Sequence, residues 1–65
     1  MDAASQNKVI DSGFSIIRCE DNPSVRIKAK TYTRREWHTI GKYTTKAERD
    51  RDFKKMLEQH DIITD

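Results

Sequence analysis

Three cationic residues, Arg26, Lys28 and Lys30, recur at every second position between Val25 and Tyr32. Because successive side chains of a β-strand point to opposite faces, this spacing places the cations on one face and apolar residues on the other. A row of cations can neutralise the phosphates of a nucleic acid. The pattern therefore predicts a basic sheet face suited to anion binding. The simpler alternative is a solvated face whose lysines discourage aggregation.

Positive charge is concentrated in the middle of the chain. The 65 residues have a formal net charge of +2, whereas residues 14–45 contain seven basic and three acidic residues, a net of +4. The segments on either side are each slightly acidic. An uneven distribution of this kind bears on partners rather than on fold. It favours an anionic partner, and we expect that partner to be nucleic acid.

The residues that could catalyse a reaction or bind a metal do not cluster in the sequence. Cys19, His38 and His60 show no spacing typical of metal ligands or of a nucleophile with its base. The acidic residues of segment 48–52 alternate with arginines, which is typical of a solvated helix start. A chain this short also leaves little room for an enclosed pocket. We expect a protein that is not an enzyme and uses no metal, cofactor or small-molecule substrate.

The length of the chain limits the core that it can bury. A 65-residue domain buries only about 60% of the surface of its unfolded chain, and a single cysteine allows no internal disulfide. Self-association would enlarge the buried area, so a homodimerisation or protein-interaction module without a nucleic-acid role is the alternative hypothesis. No stretch approaches the ~20 apolar residues of a membrane span. The unpaired thiol and the absence of a signal-peptide pattern favour a cytoplasmic location.

The predicted fold is α+β, a three-stranded antiparallel β-meander packed against one C-terminal helix (β-β-β-α). Residues 1–12 are predicted to be a mobile lead-in, and residues 13–65 a single domain. The strands are predicted at 14–19, 25–32 and 37–43 from their β-forming residues and the turn residues between them.

The C-terminal part of the chain reads as a helix. Thr45 and Glu48 match a capping box, and the helix is expected to run to about His60. Its buried stripe is predicted from helical spacing and consists of Phe53, Met56, Leu57 and His60. Ile62 and Ile63 lie past this helix and are expected to fold back onto the core.

The loop between the second and third strands determines the face on which the aromatic residues lie. A loop of two or four residues pairs Tyr32 with Trp37 and places Trp37 and Tyr43 on the basic face. A loop of three or five residues flips the third strand and buries both rings under the helix. The buried register is favoured because a domain this small gains much from burying a tryptophan. The exposed register would interleave rings with cations, an arrangement suited to nucleic acid.

The segment Val25 to Leu57 consists of the stretch VRIKAK, a hairpin and then WHTIGKYTTKAE, which leads into a helix. This arrangement resembles the small DNA-binding domains of the AP2-like and integrase arm-binding kind, in which a three-stranded sheet packs on one helix. Those domains place their sheet in the DNA major groove. The resemblance implies that the cations of VRIKAK are sheet-face contacts and that Arg34 and Arg35 reach phosphates.

The predicted function is that of a small non-enzymatic nucleic-acid-binding accessory protein that uses the open basic sheet face. The residues predicted to contact the nucleic acid are Arg26, Lys28, Lys30, Arg34, Arg35, Trp37 and Lys42.

Overall fold

A computed structural model describes all residues, 1–65, as two helices and one four-stranded mixed sheet. The elements in chain order are α1 (Ala3–Asp11), β1 (Ser15–Glu20), β2 (Arg26–Lys30), β3 (His38–Lys42), α2 (Lys46–Leu57) and β4 (Ile62–Thr64). The strand order is β3-β2-β1-β4, with β4 parallel to β1 and the other pairs antiparallel. The α+β class is therefore confirmed. The predicted architecture of three strands and one helix is only roughly matched, because a fourth strand and a second helix are added.

The additional helix, α1, lies within the segment that was predicted to be a lead-in to the domain. The Asp2 side chain caps it by accepting a hydrogen bond of 2.8 Å from the Ser5 amide. Ile10, on its last turn, is fully buried. Val9 and Ile10 are the only large apolar residues of the helix, too few to produce a helical repeat that the sequence pattern could reveal.

The two helices pack on opposite faces of the sheet. Ile17 and Ile27 belong to a cluster on one face, against which residues of α2 pack. The neighbour Ile16 points to the other face and is fully buried there. A hydrogen bond of 2.8 Å from Lys30 Nζ to Gln6 Oε1 places α1 on that second face, because Lys30 lies opposite Ile16 in the register. The face that carries the cations is thus partly covered by α1.

Helix α2 begins as the sequence predicts and ends earlier. The Thr45 hydroxyl accepts a hydrogen bond of 3.2 Å from the Glu48 amide. The helix ends at Leu57, and Phe53, Met56 and Leu57 pack against the apolar cluster. His60 lies beyond the helix and is exposed, so its predicted place in the buried stripe is wrong.

The segment after α2 returns to the sheet as β4. Ile62 pairs with Ser15 and Ile63 with Ile16, in parallel to β1. The Ser15 amide donates a hydrogen bond of 2.8 Å to the Asp61 carbonyl at the start of this pairing. The expected return of these isoleucines to the core thus takes the form of a short parallel edge strand.

Candidate nucleic-acid interface

A β-bulge in β3 sets the direction of its side chains. Ile27 pairs with Gly41, but the next residue, Lys28, pairs with Thr39, so Ile40 is an extra residue on β3. Side chains alternate between the two faces along a strand, so one extra residue shifts this alternation. Residues after the bulge therefore point to the face opposite to the one expected from the residues before it. The observed pairs, such as Lys28 with Thr39, belong to neither of the two predicted registers.

The bulge separates the two aromatic residues that both registers placed together. Trp37 lies on the basic face, with its ring centroid 4.4 Å from the Arg18 guanidinium carbon and 5.1 Å from Lys30 Nζ. Tyr43 packs on the other face, against the apolar cluster next to α2. Burial, with the neighbouring Asp52 carboxylate as a second cause, raises the pKa of the Tyr43 hydroxyl. The face that the exposed register predicts is the one observed for Trp37, and the face that the buried register predicts is the one observed for Tyr43, although the strand pairs of both registers are wrong.

Five cationic side chains share the face that carries Trp37. The β1–β2 register places Arg18 opposite Lys28, and the β2–β3 register places Arg26 opposite Lys42. Together with Trp37 these residues form what we call the basic platform. Its members are Arg18, Arg26, Lys28, Lys30, Lys42 and Trp37.

A single carboxylate, that of Glu20, pairs with three of these cations. Its oxygens lie 2.5 Å from Arg18 Nη2, 3.1 Å from Arg26 Nη2 and 4.0 Å from Lys28 Nζ. The hydrogen bonds from Arg18, and then from Arg26, hold the pKa of Glu20 below its ordinary value. The Nε atoms of both arginines are shielded from solvent and have no hydrogen-bond partner. Glu20 therefore neutralises only part of the positive charge of the platform, and two of its hydrogen-bond donors remain without an acceptor.

Lys30 lies at the border between the platform and α1. Its ammonium donates to Gln6 Oε1, and Gln6 Nε2 in turn donates to Asp65 Oδ1 over 3.0 Å. Gln6 is buried, with 6% of its surface exposed. This chain of hydrogen bonds holds the lysine beside the helix and brings one acidic group close to the platform.

The two arginines predicted to reach phosphates lie in the β2–β3 loop, residues 31–37. Arg34 exchanges backbone hydrogen bonds of 2.9 and 3.2 Å with Thr31, which closes a tight turn. Arg35 Nη2 lies 2.5 Å from an Asp11 carboxylate oxygen, and its guanidinium carbon is 4.9 Å from the Tyr32 ring centroid. The loop is thereby attached to the end of α1, and the charge of Arg35 is already paired.

Three residues of this surface were not among the predicted contacts. Arg18 and Glu20 alternate with apolar residues in β1, but their place beside the stripe depends on the β1–β2 register, which the sequence alone does not give. Tyr32 is 65% exposed near the start of the β2–β3 loop. Tyr32 continues the every-second-residue spacing of Arg26, Lys28 and Lys30, and this spacing is the sequence signal that could have identified it.

Arg49, in the first turn of α2, is buried, whereas the sequence predicts that the start of this helix is solvated. Only 6% of its surface is exposed, and its guanidinium pairs with Asp21 and Asp50. It also donates a hydrogen bond of 3.1 Å to the Glu20 carbonyl. The hydrogen bond from Arg49 lowers the pKa of Asp21. This residue therefore joins α2 to the turn after β1 and is not free to bind a ligand.

Comparisons with protein-family models, curated proteins and solved structures find no match for this chain. Within the structure, no three His, Cys, Asp or Glu side chains are grouped so that they could hold a metal ion. Neither helix has both the length and the apolar character needed to cross a bilayer.

Proposed function

We propose that this chain is a small non-enzymatic protein that binds nucleic acid through its basic platform. The observation that supports this proposal is the charge ratio, because five cations share one face with a single paired carboxylate. The cations on such a surface repel one another, and the surface attracts polyanions. A phosphate near Arg18 and Arg26 would compensate charge that Glu20 alone leaves in excess.

The aromatic residue of the platform adds to this argument. Trp37 lies among cations, and nucleic-acid surfaces of low sequence preference commonly combine cations with rings. The strand residues Lys28 and Lys42 extend the positive surface away from α1 and toward the β3 edge. Lys42 is exposed and has no ion pair, so its ammonium is available to a phosphate.

Binding to fluorescein-labelled oligonucleotides at a series of salt concentrations tests the proposal. The variant Lys28→Ala/Lys42→Ala removes two platform charges and is expected to weaken binding. It should also reduce the slope of log affinity against log salt by about 1.4–1.8, since each phosphate contact contributes about 0.7–0.9. The matched control is Lys54→Ala/Lys55→Ala, which removes two exposed charges from α2 on the opposite side. This control should keep both the affinity and most of the salt slope.

A second variant changes the charge in the other direction. Glu20→Gln removes the only platform carboxylate, so we expect tighter binding although the folded state loses three ion pairs. Circular dichroism of each variant establishes that it is folded at the assay temperature. Absence of binding by the native chain at low salt, or equal weakening by the control, would contradict the proposal.

Self-association is the second candidate, and an apolar cleft favours it. An open cleft of about 360 Å³ lies between α1 and the edge strand β4, and Val9, Phe14 and Ile63 line most of it. Phe14 is 37% exposed there. Sedimentation over a wide concentration range tests this candidate: a dimer that Phe14→Ser abolishes would support it, and a monomer at all concentrations would exclude it.

A further inference from the structure

Two aromatic rings flank the β2–β3 loop, and each has a guanidinium over it. Arg18 lies over Trp37 at 4.4 Å, and Arg35 lies over Tyr32 at 4.9 Å. The π-surface that attracts a cation also stacks with a nucleic-acid base. Tyr32 is mostly exposed, so its ring is accessible to a base without unfolding of the loop.

Helix α1 limits the shape of ligand that can reach these rings. It packs on the same face as the platform, as the contact between Gln6 and Lys30 shows. A helix with its side chains is about 10–12 Å thick, so α1 rises well above the sheet beside the platform. The ion pair between Asp11 and Arg35 joins the helix to the loop and closes that side. The uncovered surface is a strip along β2 and β3. Helix α1 borders this strip on one side, and we call it the wall.

This wall is unfavourable for a duplex. Insertion of a sheet into the major groove, which is about 12 Å wide, requires that nothing beside the sheet meets the phosphate backbones. Two carboxylates lie beside this face: that of Asp11, at the end of α1, pairs with Arg35, and that of Asp65 accepts a hydrogen bond from Gln6, which contacts Lys30. A wide ligand would bring phosphates of its second strand toward these groups, and like charges would repel it.

We infer that the basic platform takes single-stranded nucleic acid, with phosphates along Arg26, Lys28 and Lys42 and bases stacked on Tyr32 and Trp37. This inference rests on the proposed function and specifies its ligand. From Arg26 to Tyr32 a strand-like path measures roughly 20 Å at about 3.3 Å per residue. That length suits a short site, at the lower end of the range of about 4–16 nucleotides known for single-strand binding folds.

The test compares oligothymidine, oligouridine and a DNA duplex of equal length by fluorescence anisotropy in low salt. Trp37 is the only tryptophan of the chain, so its fluorescence reports directly on the platform. We expect at least one of the single strands to bind more tightly than the duplex and to quench Trp37. Tyr32→Ala should weaken single-strand binding by about 5- to 150-fold, the range for loss of one stacked base. Tyr32→Phe keeps the ring and should bind like the native chain.

The outcomes separate this inference from the proposed function. Duplex binding that equals or exceeds single-strand binding, unchanged in Tyr32→Ala, overturns the inference and leaves the proposed function intact. Single-strand binding that neither quenches Trp37 nor responds to Tyr32→Ala also overturns it, because the bases then do not stack. Failure of all three ligands to bind overturns the proposed function and the inference together.

Discussion

Among single residues, Gly41 explains how the Tyr43 ring can pack directly over the backbone of its own strand. A Cβ at Gly41 would lie 2.7 Å from Tyr43 Oη and 3.0 Å from the ring. Tyr43 therefore folds back over the backbone of its own strand directly after the bulge. Only a residue without a side chain permits this approach, so the identity of position 41 follows from the position of the tyrosine ring.

Replacing Gly41 tests this account. Gly41→Ala should lower the free energy of unfolding by about 1–3 kcal/mol, the usual cost of overpacking. Urea denaturation followed by Trp37 fluorescence measures the loss. Tyr43→Phe removes the nearest atom, and the double variant should recover part of the loss through a coupling energy of about 0.5–3 kcal/mol. Strictly additive effects would contradict a direct contact between the two positions.

Among the elements, α1 changes the shape of the basic face most, because it packs on that face. The sequence pattern identifies β1, β2, β3 and α2 within a few residues, because their alternation and capping are local properties. It does not identify α1, whose single buried apolar side chain, Ile10, gains its partner only when the sheet forms. The uncovered part of the basic sheet face is consequently narrower in the structure than the sequence predicts.

A conservative substitution in α1 tests whether the first residues belong to the domain. Ile10→Val should lower the free energy of unfolding by about 0.5–1.5 kcal/mol, since it removes a buried methylene. Lys8→Ala, on an exposed position of the same helix, should have little effect. Equilibrium urea denaturation compares the two variants. If Ile10→Val were as stable as the native chain, residues 1–12 would be the lead-in predicted from the sequence.

In the whole molecule, the buried apolar residues lie on both faces of the sheet and are not numerous. The fully buried apolar residues are few, namely Ile10, Ile16, Ile17, Ile27 and Ala29. Natural domains are stabilised by roughly 0.05–0.15 kcal/mol per residue, and a chain this short lies at the low end of total stability. Polar contacts between elements, such as those of Arg49 and Glu20, therefore have a large relative influence on the stability.

The dependence of stability on pH should reflect these contacts. Hydrogen bonds hold the pKa of Glu20 and Asp21 below the ordinary values of 4.5 and 3.8. The unfolded chain therefore binds protons first as the pH falls, so stability is retained above these values and lost below them. Burial raises the pKa of Tyr43 above its ordinary 10.0, so stability should fall again as the pH rises past that value.

Urea midpoints measured across the pH range test both limits. Glu20→Gln should show a smaller decrease at acid pH than the native chain, and Tyr43→Phe a smaller decrease at alkaline pH. A native profile that is flat through both limits would mean that these groups titrate equally in the folded and unfolded states.

The local features of this protein follow from its sequence. Alternation placed Arg26, Lys28 and Lys30 on one strand face, and Thr45 marked the start of α2, because both depend on the residues within a few positions. The bulge at Ile40, the separation of Trp37 from Tyr43 and the position of α1 over the cationic face follow instead from the packing of the folded chain. These features depend on contacts between residues far apart in the chain. A shift of one residue in register changes the face to which the side chains of a strand point, and the burial of Ile10 helps to position α1.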